Sequence, residues 1–87
     1  MIRVTLLSKE ECSLCDHAKE VLGRVGRDHA LVVETVALES EEGQRLAANA
    51  GMVFAPGVLL DGEPFAHGRL SEGKLRKKLE KLHKVTG

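Results

Sequence analysis

The chain opens with a continuous apolar run. Ile2 to Leu7 mixes Ile, Val, Thr and Leu with only Arg3 as a charge, which predicts a strand buried on both faces and so central in its sheet. From Cys15 the period becomes helical: Ala18, Leu22 and Val25 recur with Val21 beside them, while Asp16, Lys19, Glu20 and Arg24 take the other face. Gly23 and Gly26 weaken this segment and place its end near Gly26. Ala30 to Leu38 is rich in β-branched residues and predicts a second strand. It is reached from the first by a helical crossover, so the two strands are parallel and the connection right-handed.

Ser40 is a predicted N-cap, with Glu41 and Glu42 in the first turn where the helix dipole favours them, and Leu46, Ala47 and Ala50 facing inward up to Gly51. The irregular apolar stretch from Met52 to Gly57 leads into Val58-Leu59-Leu60. Asp61-Gly62-Glu63-Pro64 is a turn before Phe65-Ala66-His67, and strands joined this tightly are antiparallel. Ser71 caps the last helix, Leu70 and Leu75 occupy the two positions of a hydrophobic staple, and Leu79 and Leu82 continue the stripe. Lys77, Lys78, Lys81, His83 and Lys84 fall toward its C-terminal end, where the dipole favours positive charge. Phe54 and Phe65 are expected in the core. The order is βαβαββα.

Composition narrows the function classes. Eighty-seven residues with 43% apolar content make one domain, residues 1–87, with a single core. Thirteen basic and thirteen acidic residues cancel, so no global field points to nucleic acid or an acidic membrane. With two Phe and no Trp or Tyr, there is no aromatic platform for bases. Two cysteines are too few for a secreted disulfide framework, and the opening residues are too short and polar for a signal peptide or membrane span. A cytoplasmic monomer is expected.

Those two cysteines, Cys12 and Cys15, lie between the first strand and the first helix. Residues i and i+3 on a helix have neighbouring Cβ atoms, so the sulfurs are held near bonding distance, and a redox dithiol is the leading reading. Cys12 sits at the helix entrance, where free N–H groups and the positive dipole end favour a thiolate, and is expected to attack. Cys15, one turn in and on the side of Ala18 and Leu22, is expected to resolve the mixed disulfide. Lys9 favours the thiolate and Glu10 and Glu11 oppose it, with the balance open. The ring is so short that its chain-entropy contribution is only about 2 kcal/mol, and it can cycle without unfolding the domain. Metal carriers also use C-x-x-C, so a soft-metal chaperone is the alternative from another class, and a redox-inert adaptor a third. Metal-carrier domains run βαββαβ without a proline before the third strand. His17, as a third ligand or proton shuttle, is weighed against a solvated surface histidine, and the solvated reading is preferred.

The dithiol after the first strand, Ala55-Pro56 before the third, and Ser8-Lys9 ahead of Cys12 together resemble a minimal thioredoxin fold, most similar to the small glutaredoxin-like proteins. The resemblance implies a four-stranded mixed sheet flanked by three helices, a cis bond before Pro56, and thiol–disulfide exchange with protein or small-molecule disulfides without a bound cofactor. It also implies that the backbone of Ala55 meets an extended substrate or glutathione, and that an upstream reductase, or glutathione, supplies electrons. Ser13 and Leu14 match neither the Gly-Pro pair of thioredoxins nor the Pro-Tyr pair of most glutaredoxins. A glutaredoxin-type glutathione site would use Lys9, Ala55, Pro56 and a Gly-Gly turn at the last helix. Here Gly68 keeps one glycine, Arg69 replaces the other, and Ser71 keeps a hydroxyl, so weak glutathione use is expected.

Overall fold

The computed structural model describes residues 1–86, with side chains as far as Leu82. The expectations for His83 and Lys84 lie outside the described side chains. The elements are β1 (Ile2–Ser8), α1 (Ser13–Asp28), β2 (Leu31–Ala37), α2 (Glu41–Ala50), β3 (Gly57–Leu60), β4 (Glu63–His67) and α3 (Glu72–Thr86). The strands form one sheet in the order β2-β1-β3-β4. Strand β1 is parallel to β2 and antiparallel to β3, and β4 returns antiparallel to β3. This is the mixed α/β arrangement of the thioredoxin fold.

Period-two alternation in β1 divides the core in two. Val4 and Leu6 join Val58 and Leu60 under α1 (Ala18, Val21, Leu22, Val25) and α3 (Leu75, Leu79), with Leu70 sealing the end. Leu7 and Leu59 turn the opposite way and meet Val36, Ala47 and Met52 beneath α2. Strand β1 is thus buried from Val4 to Ser8. One face lies under two helices, while the other is covered by α2 alone. An open recess remains there, lined by Arg3, Thr5, Val32, Glu34, Glu42 and Arg45 among others. At the sheet's margin β2 has both faces partly open, and Val32 and Val33 are 46% and 45% exposed.

Local chemistry fixes the corners. The Ser40 side chain accepts from the Gly43 N–H at 2.9 Å and donates to the Ala37 carbonyl at 2.7 Å, capping α2. At the other end Gly51 adopts φ 70 and Met52 donates to Ala47, a left-handed C-terminal cap that glycine takes without steric cost. Asp61 and Gly62 have φ 49 and 85, a two-residue turn whose twist suits a hairpin. Its carboxylate accepts from the Arg3 N–H at 2.9 Å and ties the turn to the start of β1.

Two expectations need correction. Helix α1 continues past Gly26 to Asp28, because Gly23 and Gly26 are solvent-exposed while Val25 is fully buried. Packing on the apolar side outweighs about 1 kcal/mol of propensity per glycine. Phe54, expected in the core, is 53% exposed, whereas Phe65 does pack against the main cluster.

Helices α1 and α3 are also joined by charge. Glu72 pairs with Arg24 and Arg76 at 3.0 Å each, and Arg76 reaches Asp28 at 2.8 Å. Hydrogen bonds from Arg24 and then Arg76 hold the Glu72 carboxyl below the ordinary carboxylate value of 4.5. A lowered folded-state pKa stabilises the fold above the unfolded value and is lost as pH falls through the folded one. Glu72→Gln should therefore lower the thermal midpoint slightly at neutral pH, solvent screening keeping the effect small. The gap to the parent should close as the pH drops below 4.5. A gap that stays constant through that range would contradict this linkage.

Candidate active site

Strand β1 carries the chain to Ser8, 5% exposed, and the exposed turn Lys9-Glu10-Glu11 reverses it. Glu11 sits at φ 50, a left-handed conformation unusual for a residue with a side chain. That turn delivers Cys12 to the N-cap of α1 in an extended conformation, φ −124 and ψ 103. Its sulfur accepts the backbone N–H of Cys15 at 3.1 Å, in the place where serine or aspartate oxygen stands in most helices.

Cys12 and Cys15 are bonded as a disulfide, their Cα atoms 5.2 Å apart. The two sulfurs have unequal access. Cys12 is partly exposed at the helix entrance, and Cys15 is 1% exposed on the buried side that continues through Ala18 and Leu22. A bulky molecule can approach Cys12 and not Cys15.

The strand register brings the proline segment to the same end of the sheet. Leu7, one residue from the end of β1, pairs with Gly57, the first residue of β3, and Gly57 pairs on its other side with His67, the last of β4. The Ala55–Pro56 bond is cis. Pro56 is fully buried and Ala55 is 9% exposed. Among the described residues no hydrogen bond engages the Ala55 backbone. The Pro56 carbonyl accepts from the Gly68 N–H at 2.8 Å.

Ser71 follows three residues after Gly68, the partner of Pro56. Its hydroxyl accepts the Lys74 N–H at 3.3 Å as the cap of α3, and it lines a groove between α1 and α3 with His17, Val21, Arg24, Arg69 and Glu72. Lys9 lies outside that groove, exposed and without an ion pair among the described residues. His17 is not the solvated surface histidine expected: its Nδ1 is buried without a hydrogen-bond partner. Among the described residues no group of three His, Cys, Asp or Glu side chains is placed to hold a metal ion, and no helix is long and apolar enough to cross a membrane.

One feature of this end of the sheet leaves no pattern in the sequence. Phe54 stacks on the His67 ring, centroids 4.1 Å apart at 26°, and the N–H groups of Val53 and Phe54 both donate to His67 Nε2, at 3.3 and 3.4 Å. A single histidine after two apolar residues gives no periodic signal, and a phenylalanine in an apolar run looks like core.

The glutaredoxin-like domain family (DUF836) matches residues 3–80 of the chain. A protein of Archaeoglobus fulgidus described as a probable thioredoxin is 23% identical over 82 residues, covering 94% of this chain and 90% of that one. Among solved structures, a mutant thioredoxin from Halobacterium salinarum NRC-1 aligns with a TM-score of 0.71 at 21% identity, covering 92% of this chain and 73% of that one. At that identity the likeness is one of fold.

Proposed function

This chain belongs to the glutaredoxin-like domain family, and from its site geometry we propose that it is a thiol–disulfide oxidoreductase whose electrons pass through Cys12 and Cys15. The observation that carries this reading is the unequal access of the two sulfurs: Cys12 partly exposed at a helix N-cap with an amide N–H directed at it, Cys15 buried behind it.

In the reduced protein the Cys12 sulfur, favoured as thiolate by that N–H and by the positive end of the helix, attacks one sulfur of a substrate disulfide. A mixed disulfide forms and the first substrate thiolate leaves, taking up a proton from water. Cys15 then gives up its proton and attacks the Cys12 sulfur, closing the intramolecular disulfide and releasing the second substrate thiolate. Two electrons have moved to the substrate. An upstream dithiol reverses the sequence and restores the thiols. The unpartnered Ala55 backbone beside the buried proline is suited to an extended chain flanking the substrate disulfide. The setting is a reducing, cytoplasmic one, where such a dithiol stays reduced between turnovers.

The electron source is a flavin-dependent reductase of the thioredoxin type rather than glutathione. Three features support this: Arg69 stands where a glycine would leave room, the Ser71 hydroxyl already accepts from Lys74, and Glu10 and Glu11 modestly repel a ligand with two carboxylates. Insulin reduction driven in parallel by NADPH with thioredoxin reductase, and by glutathione with glutathione reductase, should proceed through the first system and only weakly through the second. Faster turnover with glutathione, with the amides of Lys9, Ala55 and Ser71 shifting together on titration, would reverse the assignment of reductant.

A further inference from the structure

Val53 and Phe54, 81% and 53% exposed, are the apolar residues immediately before Ala55-Pro56, at the end of the sheet that carries the disulfide. Two exposed apolar side chains on an irregular segment would ordinarily fold back or fluctuate. These are held by the end of β4. The His67 ring packs flat against Phe54 and its Nε2 receives the N–H groups of both residues. The next residue, Gly68, at φ 96, donates to the Pro56 carbonyl, and a side chain there would reach the Phe54 ring. His67 is itself exposed and forms no ion pair among the described residues, so the Val53–Phe54 backbone and the Phe54 ring are its hydrogen-bonding and stacking partners.

We propose that His67 is a positioning residue that fixes Val53 and Phe54 as an apolar docking surface for the polypeptide flanking a substrate disulfide. This rests on the oxidoreductase reading above and specifies the substrate class: chains with apolar residues beside the cystine, in preference to small disulfides. The same bonds determine the imidazole tautomer, because a nitrogen that accepts two N–H groups carries no proton and the other nitrogen must carry it. They also occupy the Val53 and Phe54 N–H groups, so Ala55 is the residue of this segment whose N–H is left for a substrate backbone.

The test uses the full chain with His67→Phe, which keeps a ring against Phe54 but has no acceptor, and His67→Gln, which restores an acceptor. Oxidised insulin and a small disulfide, hydroxyethyl disulfide, are the substrates. His67→Phe should raise KM for insulin roughly tenfold with kcat within about twofold, the worth of one to two net hydrogen bonds. The small disulfide has no chain to lie on the segment, so its rate should move far less. His67→Gln should recover most of the insulin KM. Amide exchange at Val53 and Phe54 should accelerate in His67→Phe and not in His67→Gln, and nitrogen shifts of the parent imidazole should place the proton on Nδ1. Unchanged insulin KM, an equal loss on both substrates, or failure of His67→Gln to recover would each overturn the positioning role. A parent protein inactive on both substrates would instead sink the oxidoreductase reading, while amide exchange still reports whether His67 holds the segment.

Discussion

Cys12→Ser is expected to lose disulfide reduction by at least about 1,000-fold, because it removes the nucleophile rather than an auxiliary group. Cys15→Ser should lose turnover almost as completely while keeping the first chemical step. It still attacks, but nothing resolves the product, so a stable mixed disulfide with the substrate accumulates. The asymmetry follows from access: a substrate sulfur can reach partly exposed Cys12, and Cys15 at 1% exposure can be reached by Cys12 itself. Non-reducing electrophoresis and intact-mass measurement after mixing each variant with oxidised insulin give the readout. Trapping by both variants alike, or by Cys12→Ser alone, would overturn this division of roles.

Two glycine-to-alanine changes should have opposite signs. Gly43 lies in the first turn of α2 against the end of β2, where an added Cβ would overlap the Ala37 carbonyl oxygen and press on Ala37 C and Leu38 Cα at 2.9 Å. These are backbone atoms and cannot rotate away. Overpacking of this kind costs about 3 kcal/mol, against a gain of about 1 kcal/mol in helix propensity, so the clash wins. Gly43→Ala should lower the thermal midpoint by about 8–16 °C. Gly23 in α1 has nothing within 4 Å of the same position, so Gly23→Ala keeps the propensity gain and should raise the midpoint by about 4–8 °C. Thermal unfolding followed by circular dichroism decides both. A stabilised Gly43→Ala would mean that α2 does not approach the sheet this closely.

The contrast between these glycines shows where the sequence was legible. Secondary-structure order followed from period changes and from residues whose local chemistry is strong: Ser40 and Ser71 as caps, Gly51 at a left-handed position, and Asp61-Gly62 in a tight turn. The dithiol's place at a helix entrance was equally plain, since strand and helix patterns flank it. What depends on three-dimensional neighbours was not. Gly23, Gly26 and Gly43 look alike as letters, yet the first two face water and the third meets the backbone of Ala37 and Leu38 where the chain turns tightly from β2 into α2. Phe54 reads as core in the sequence because hydrophobicity carries no direction. Its ring finds His67, 13 residues on, only after β4 returns beside β3. His17 likewise reads as a surface residue, yet its Nδ1 is buried and it lines a groove with Arg69, Leu70 and Ser71.

On the proposed function, Cys12 and Cys15 together carry two electrons to a disulfide substrate. Pre-reduced protein, freed of reductant and mixed with excess oxidised insulin, tests it in a single turnover with thiols counted on both partners. Each protein molecule should lose two thiols and close Cys12 to Cys15 while the insulin gains two. Protein thiols that remain free in the presence of excess substrate, or that disappear without matching thiols on insulin, would contradict it.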